Sequence, residues 1–141
     1  MDRLIIKGAP GSPYTRKMLS LLRYRRISYN FIIGGLFDKG IMDTAYLPKA
    51  KVDLMPTFYF KNKDKKLEPM VDSTFILRRL ESLYAARSVI PKNPVLKFLD
   101  YVLEDFADEW LTKATFHYRW TYDEDIKKAG ATLSRWRSLT D

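Results

Sequence analysis

The chain has 141 residues, 46% of them hydrophobic and 14% aromatic, with 25 Lys/Arg against 17 Asp/Glu and no cysteine. That composition supports a folded core and excludes a disordered chain, a disulfide framework, a Cys nucleophile and a thiolate metal site. No apolar run approaches the roughly 20 residues of a membrane span, and Met1-Asp2-Arg3 opens no signal-peptide pattern, so the expectation is a cytoplasmic protein of one domain or of a small domain with an appendage.

The net charge of +8 lies in the first half: up to Met70, 14 Lys/Arg meet 6 Asp/Glu, and beyond it 11 meet 11. A basic half brings an anionic ligand or nucleic acid into consideration. Solvated charged faces account for it more simply, and nucleic acid ranks last among the partners considered.

Arg3 to Gly8 reads as a first strand, mostly apolar and therefore buried. Gly8-Ala9-Pro10-Gly11 is a loop by composition. Ser12 is a good N-cap and Pro13 suits the first helical position, so a helix is expected from Pro13 to about Arg25, with Met18, Leu21, Leu22 and Arg25 on one face. Arg23, Arg25 and Arg26 suit its negative end. Ile27 to Ile33 reads as a second strand, Phe37 to Leu47 as a weak helix stopped by Pro48, and Thr57 to Phe60 as a third strand. A polar turn at Asn62-Lys63-Asp64-Lys65 leads to a short fourth strand, Lys66 to Met70, beside the third. Asp72-Ser73 then caps a helix carrying Ile76, Leu77, Leu80, Leu83 and Tyr84 on one side.

The pattern over residues 1–86 is β-α-β-α-β-β-α, an α/β (α+β) domain with a mixed four-stranded sheet. Residues 87–93 form a linker, and 94–141 an all-α segment. There Asn93-Pro94 starts a long helix with Val95, Leu99, Val102, Phe106, Trp110 and Ala114 near helical period, and Thr121 with Glu124 forms a capping box for one more. Two helices bury little by themselves. The acids at Asp100, Glu104 and Asp108 repeat every four residues without His or Cys partners, so they read as a solvated face and not as a metal site. That face could alternatively meet the basic half within the chain or across a homodimer. His117, the lone histidine, is expected to pack in a core or an interface.

Three places carry a resemblance. Ser12-Pro13-Tyr14-Thr15 resembles the Cys-Pro-Tyr-Cys turn of glutaredoxins and its variants in transferases, with both cysteines replaced by hydroxyls. Met55-Pro56-Thr57 resembles the proline, normally cis, that leads into the third strand of the same fold. Asp72-Ser73-Thr74-Phe75-Ile76, followed by Leu80, resembles the acid-Ser-x-Ala-Ile-x-x-x-Leu motif that opens the third helix. In order and spacing the chain resembles a glutathione S-transferase: a thioredoxin-like N-terminal domain and the beginning of the helical C-terminal domain.

The resemblance implies glutathione as co-substrate, no metal, and an electrophilic small molecule as second substrate. Met55 would pair through its backbone with the cysteinyl unit of glutathione. Ser73, at a helix N-terminus, would take the γ-glutamyl carboxylate, and Asp72 the ammonium of the same residue. Ser12 would donate to the glutathione sulfur and favour its thiolate; the bound thiolate, not serine, is the nucleophile. Tyr14 is the rival donor, one step inside the helix. Lys7 stands where some classes carry a catalytic Tyr, which sets those classes aside. Lys51 as a partner of the glycyl carboxylate departs from the family, since Asp53-Leu54-Met55 intervene before Pro56. The alternative to an enzyme is a non-catalytic module of the same fold for binding or protein interaction. Thiol-disulfide exchange is a poor third choice, because no cysteine exists to form the mixed disulfide.

Overall fold

The computed structural model describes residues 3–34 and 46–133. The helix expected over Phe37 to Leu47 lies outside them apart from Tyr46 and Leu47, which sit in a turn and a bend. Contacts divide the chain into two compact units that meet between Arg87 and Ser88 in sequence.

The first unit orders its elements β1 (Leu4–Gly8), α1 (Pro13–Arg25), β2 (Tyr29–Ile33), β3 (Thr57–Lys61), β4 (Leu67–Met70) and α2 (Ser73–Leu83). The sheet order is β2-β1-β3-β4. β1 and β2 are parallel, while β3 runs antiparallel to both β1 and β4. This is the mixed sheet of a thioredoxin-like fold.

Strand side chains alternate between faces, and the register aligns equals. Ile6 pairs with Phe58, and Ile5 with Tyr59. Leu4, Ile6, Phe58 and Phe60 therefore join Met18, Leu19 and Leu22 of α1 and Ile76 and Leu80 of α2 in one core. Ile32, Tyr59 and Leu47 form a smaller core with Ile5 and Leu67 against it. Each large side chain so enclosed contributes about 2–3 kcal/mol of burial free energy. At the outer side β4 pairs Pro69 with Tyr59 and has no further strand beyond it among the described residues.

The start of β2 and one side of α2 differ from expectation. α1 ends without a glycine: Arg26 takes the left-handed conformation at φ 56°, and the Ile27 N–H reaches the Leu22 carbonyl at 2.9 Å. This six-to-one bond closes the helix, seats Ile27 in the core, and delays β2 to Tyr29. Leu83, expected on the inner side of α2, is exposed, while Tyr84 beyond it packs against the core. Arg25 does face inward, and the buried charge is matched. Its guanidinium lies 2.9 Å from the Glu81 carboxylate and donates to the carbonyls of Tyr84 and Ala86.

The second unit holds α3 (Pro94–Phe106), a π-helical turn (Ala107–Leu111), α4 (Thr112–Thr121) and α5 (Asp123–Leu133). Asn93 caps α3 by accepting from the N–H groups of Val95 at 2.9 Å and Leu96 at 3.2 Å. The long helix expected from Pro94 is thus interrupted by one wide turn, with Thr112 Oγ1 donating to the Ala107 carbonyl five residues back at 3.2 Å. The capping box is corrected as well. Thr121 closes α4 and its hydroxyl donates back to the His117 carbonyl at 2.6 Å, so α5 opens at Asp123 behind Tyr122. His117 is exposed and not in a core; its ring stands edge-on to Tyr118 and Tyr122. Ala129 is the buried hydrophobic residue of this unit. No helix among the described residues is long and apolar enough to cross a membrane.

Candidate functional site

The loop from Gly8 to Ser12 turns the chain from β1 into α1. The Ser12 N–H donates to the Ala9 carbonyl at 3.0 Å, which tightens the loop. Ser12 is buried, adopts extended backbone angles and accepts from the Thr15 N–H at 3.3 Å, the geometry of an N-cap. A hydroxyl carries one proton and two lone pairs. Capping uses a lone pair, which leaves the Ser12 proton as the donor at the positive end of a 13-residue helix. Tyr14 is half-buried in the first turn.

The Met55-Pro56 bond is cis, as the resemblance implies. Pro56 is fully buried and Met55 half-buried, and Thr57 fixes the approach to β3 by donating its hydroxyl to the Leu54 carbonyl at 3.0 Å. Gly8 shows how closely this loop meets α1. A Cβ placed there would lie 2.7 Å from Thr15 Oγ1 and 3.4 Å from Pro56 Cβ. The end of β1, the first turn of α1 and the cis proline thus converge on a position that admits no side chain.

Asp72 caps α2 by accepting from the Thr74 N–H at 3.0 Å and holds φ at 76°, a conformation sparsely occupied by residues other than glycine. Ser73 begins the helix and is buried. The Lys17 ammonium of α1 donates to Ser73 Oγ at 3.2 Å. This contact spans 56 residues of sequence and joins α1 to the N-terminus of α2.

The structure therefore gathers Ser12, Pro56 and Ser73 around the first two turns of α1. Lys51 is not drawn in by any comparable feature; it stands in an exposed stretch from Lys51 to Leu54 ahead of Met55. Lys17 escaped notice in the sequence, because a lysine within a basic helix carries no sign of a partner so far along the chain. An open cleft of about 610 Å³ lies elsewhere, at the β3–β4 hairpin, lined by Lys61, Asn62, Lys63, Asp64, Glu68 and Arg79. Among the described residues no cluster of His, Asp or Glu is arranged to hold a metal ion.

Comparison with known proteins agrees with this fold. A family model described as the N-terminal domain of glutathione S-transferase matches residues 7–88. Among solved structures, a glutathione S-transferase from Methylobacterium radiotolerans in complex with glutathione sulfonate is similar over 96% of this chain and 60% of its own, with 18% identity and a TM-score of 0.66. A Tau class glutathione S-transferase from mango, Mangifera indica, is similar over 94% of this chain and 58% of its own, with 18% identity and a TM-score of 0.64. A third, from Methylobacillus flagellatus with GSH bound, is 20% identical over 94% of this chain and 66% of its own, with a TM-score of 0.58. At such identity the likeness is one of fold, and the chain spans about three fifths of the length of the first two. No curated protein sequence matches the chain.

Proposed function

Since this chain belongs to the glutathione S-transferase family, we propose that its first unit binds glutathione and stabilises the thiol as a thiolate for attack on an electrophilic small molecule. The observation that carries this reading is the convergence on α1 of a capped hydroxyl (Ser12), a cis-proline loop (Met55-Pro56) and the N-terminus of α2 at Ser73.

Each part supports a separate task. Ser12 donates its hydroxyl proton to the sulfur, and the N-terminus of α1 favours the negative charge there; a free thiol near pKa 8.5 is lowered toward neutrality by such surroundings. The Met55 backbone pairs with the cysteinyl unit as an added strand would. Ser73 at the N-terminus of α2 takes the γ-glutamyl carboxylate, and Asp72 meets the ammonium. Tyr14 lines the same turn. Lys51 is retained only as a candidate for the glycyl carboxylate. The electrophile and a homodimeric assembly belong to this proposal too.

Calorimetric titration of the chain with glutathione is the first test, with Ser73→Ala expected to bind about 10-fold more weakly; absence of binding by the parent chain removes the reading. Turnover of a standard electrophile tests the chemistry. Ser12→Ala is expected to lower kcat far more than it weakens glutathione binding, whereas equal losses would reduce Ser12 to a binding group.

One observation favours the alternative, a binding module without catalysis. Ser12 is buried and already engaged with Thr15 as a cap. Glutathione binding that persists in Ser12→Ala, with no conjugation by the parent chain, would select that reading.

A further inference from the structure

The first turn of α1 carries one buried hydroxyl that the fold does not use. Thr15 is fully enclosed, and among the described residues its Oγ1 has no hydrogen-bond partner. Its neighbours in the turn are committed to one another. The Ser12 N–H donates to the Ala9 carbonyl at 3.0 Å, the Arg16 N–H to the Ser12 carbonyl at 3.0 Å, and the Thr15 N–H to Ser12 Oγ at 3.3 Å. Packing does not call for a hydroxyl here. Both branches of the side chain face the end of β1, where a Cβ on Gly8 would come within 2.7 Å of Oγ1 and 3.0 Å of Cγ2. Valine would fill the same space with no polar atom to satisfy. A buried hydroxyl left unpaired costs stability that an apolar isostere does not, so its presence points to a partner gained when the site is occupied.

That partner is close by. Thr15 is the third residue of the helix that Ser12 caps, the position whose side chain reaches back toward the cap in a capping box. Ser12 Oγ has one proton and two lone pairs, and the Thr15 N–H takes one of the pairs. A negative charge in front of Ser12 turns its proton outward and leaves the second pair for another donor. Threonine divides between two rotamers in a helix, so its hydroxyl can turn about χ1 without a change of backbone. Resting on the glutathione reading above, we infer that Thr15 is a positioning residue: when a thiolate occupies the site, the Thr15 hydroxyl donates to the second lone pair of Ser12 Oγ. With both pairs taken, the Ser12 proton is held toward the sulfur, and the donation polarises that O–H. No proton leaves either hydroxyl. Thr15 does not touch the sulfur; it acts through Ser12.

The experiment follows the thiolate absorbance of glutathione, bound at saturation to the full chain, as pH is raised. Thr15→Val is expected to move the titration of the bound thiol upward, leaving about 5-fold less thiolate below the parent's midpoint, whereas Thr15→Ser keeps the parent's curve. In a Ser12→Ala background, Thr15→Val is expected to change the titration no further, since the group it acts through is gone. The thermal midpoint of Thr15→Val without ligand is expected at or above the parent's, because the hydroxyl it deletes has no partner in the resting fold. An unshifted titration in Thr15→Val, a shift that adds to that of Ser12→Ala, or a clear drop in the thermal midpoint overturns the inference while glutathione binding stands. If the parent chain binds no glutathione, the reading of the site falls and the inference with it.

Discussion

The two units of this chain meet water in opposite ways. In the first, strands and helices close over Ile6, Phe58, Met18, Leu22, Ile76 and Leu80, all enclosed almost completely. In the second, α3 has no buried residue, and Phe98, Leu103 and Trp110 are each more than three-fifths exposed. The helices of both units are apolar on one side, yet only the first has a sheet to lay that side against. The difference teaches where positional precision can reside. The proposed site, which needs Ser12, Pro56 and Ser73 held within about half an ångström, belongs on the unit whose backbone is pinned by a core.

The contrast can be broken most severely at Phe58. Phe58→Ala removes a fully enclosed ring shared by both helices and the sheet, and urea denaturation is expected to show a loss of about 4 kcal/mol. Next in size is Glu81→Ala. It leaves the buried Arg25 guanidinium without its carboxylate while the Tyr84 and Ala86 carbonyls still hold it; a cost of about 3 kcal/mol is expected in the same assay. A smaller effect sharpens the comparison by matching like with like. Ser12→Ala and Asn93→Ala each remove an N-cap, expected to cost about 1 kcal/mol. The first should shift the unfolding midpoint, and the second should reduce helical circular dichroism, since Asn93 serves two N–H groups in a unit with little else to hold its helices. At the lower end, Phe98→Ala should change the unfolding free energy by less than about 0.5 kcal/mol despite deleting the same ring as at Phe58, because that ring already lies largely in water.

Local chemistry was readable from the residues wherever a neighbour in sequence does the work. Ser12-Pro13, Asp72-Ser73 and Asn93-Pro94 announce their helices because cap and first turn lie within three residues of each other. The four strands and the pairing of β4 with β3 were legible through the hairpin and the apolar runs. What the residues did not disclose arises from tertiary competition. Arg26 takes a left-handed backbone because the Ile27 side chain is worth more in the core than the residue loses in strain. Thr121 could cap forwards or bond backwards, and the helix behind it offers the carbonyl of His117 first. The π-helical turn at Ala107–Leu111 carries no proline or glycine to mark it. Nor does any periodicity connect Lys17 to Ser73. The motifs named candidate residues; the contact between Lys17 and Ser73 needed three dimensions.

The outer strand of the sheet has a consequence for how the protein keeps company with itself. β4 is short, has a neighbour on one side only among the described residues, and places Pro69, which has no N–H to offer, in the middle of its four residues. Charged side chains at Lys61, Lys63, Lys65, Lys66 and Glu68 surround it. A passing strand would find few donors to pair with and repulsion at the margins. Crowded copies of the chain are thus turned away from edge-to-edge aggregation there, and protein that is briefly unfolded has one less surface on which to seed a fibril.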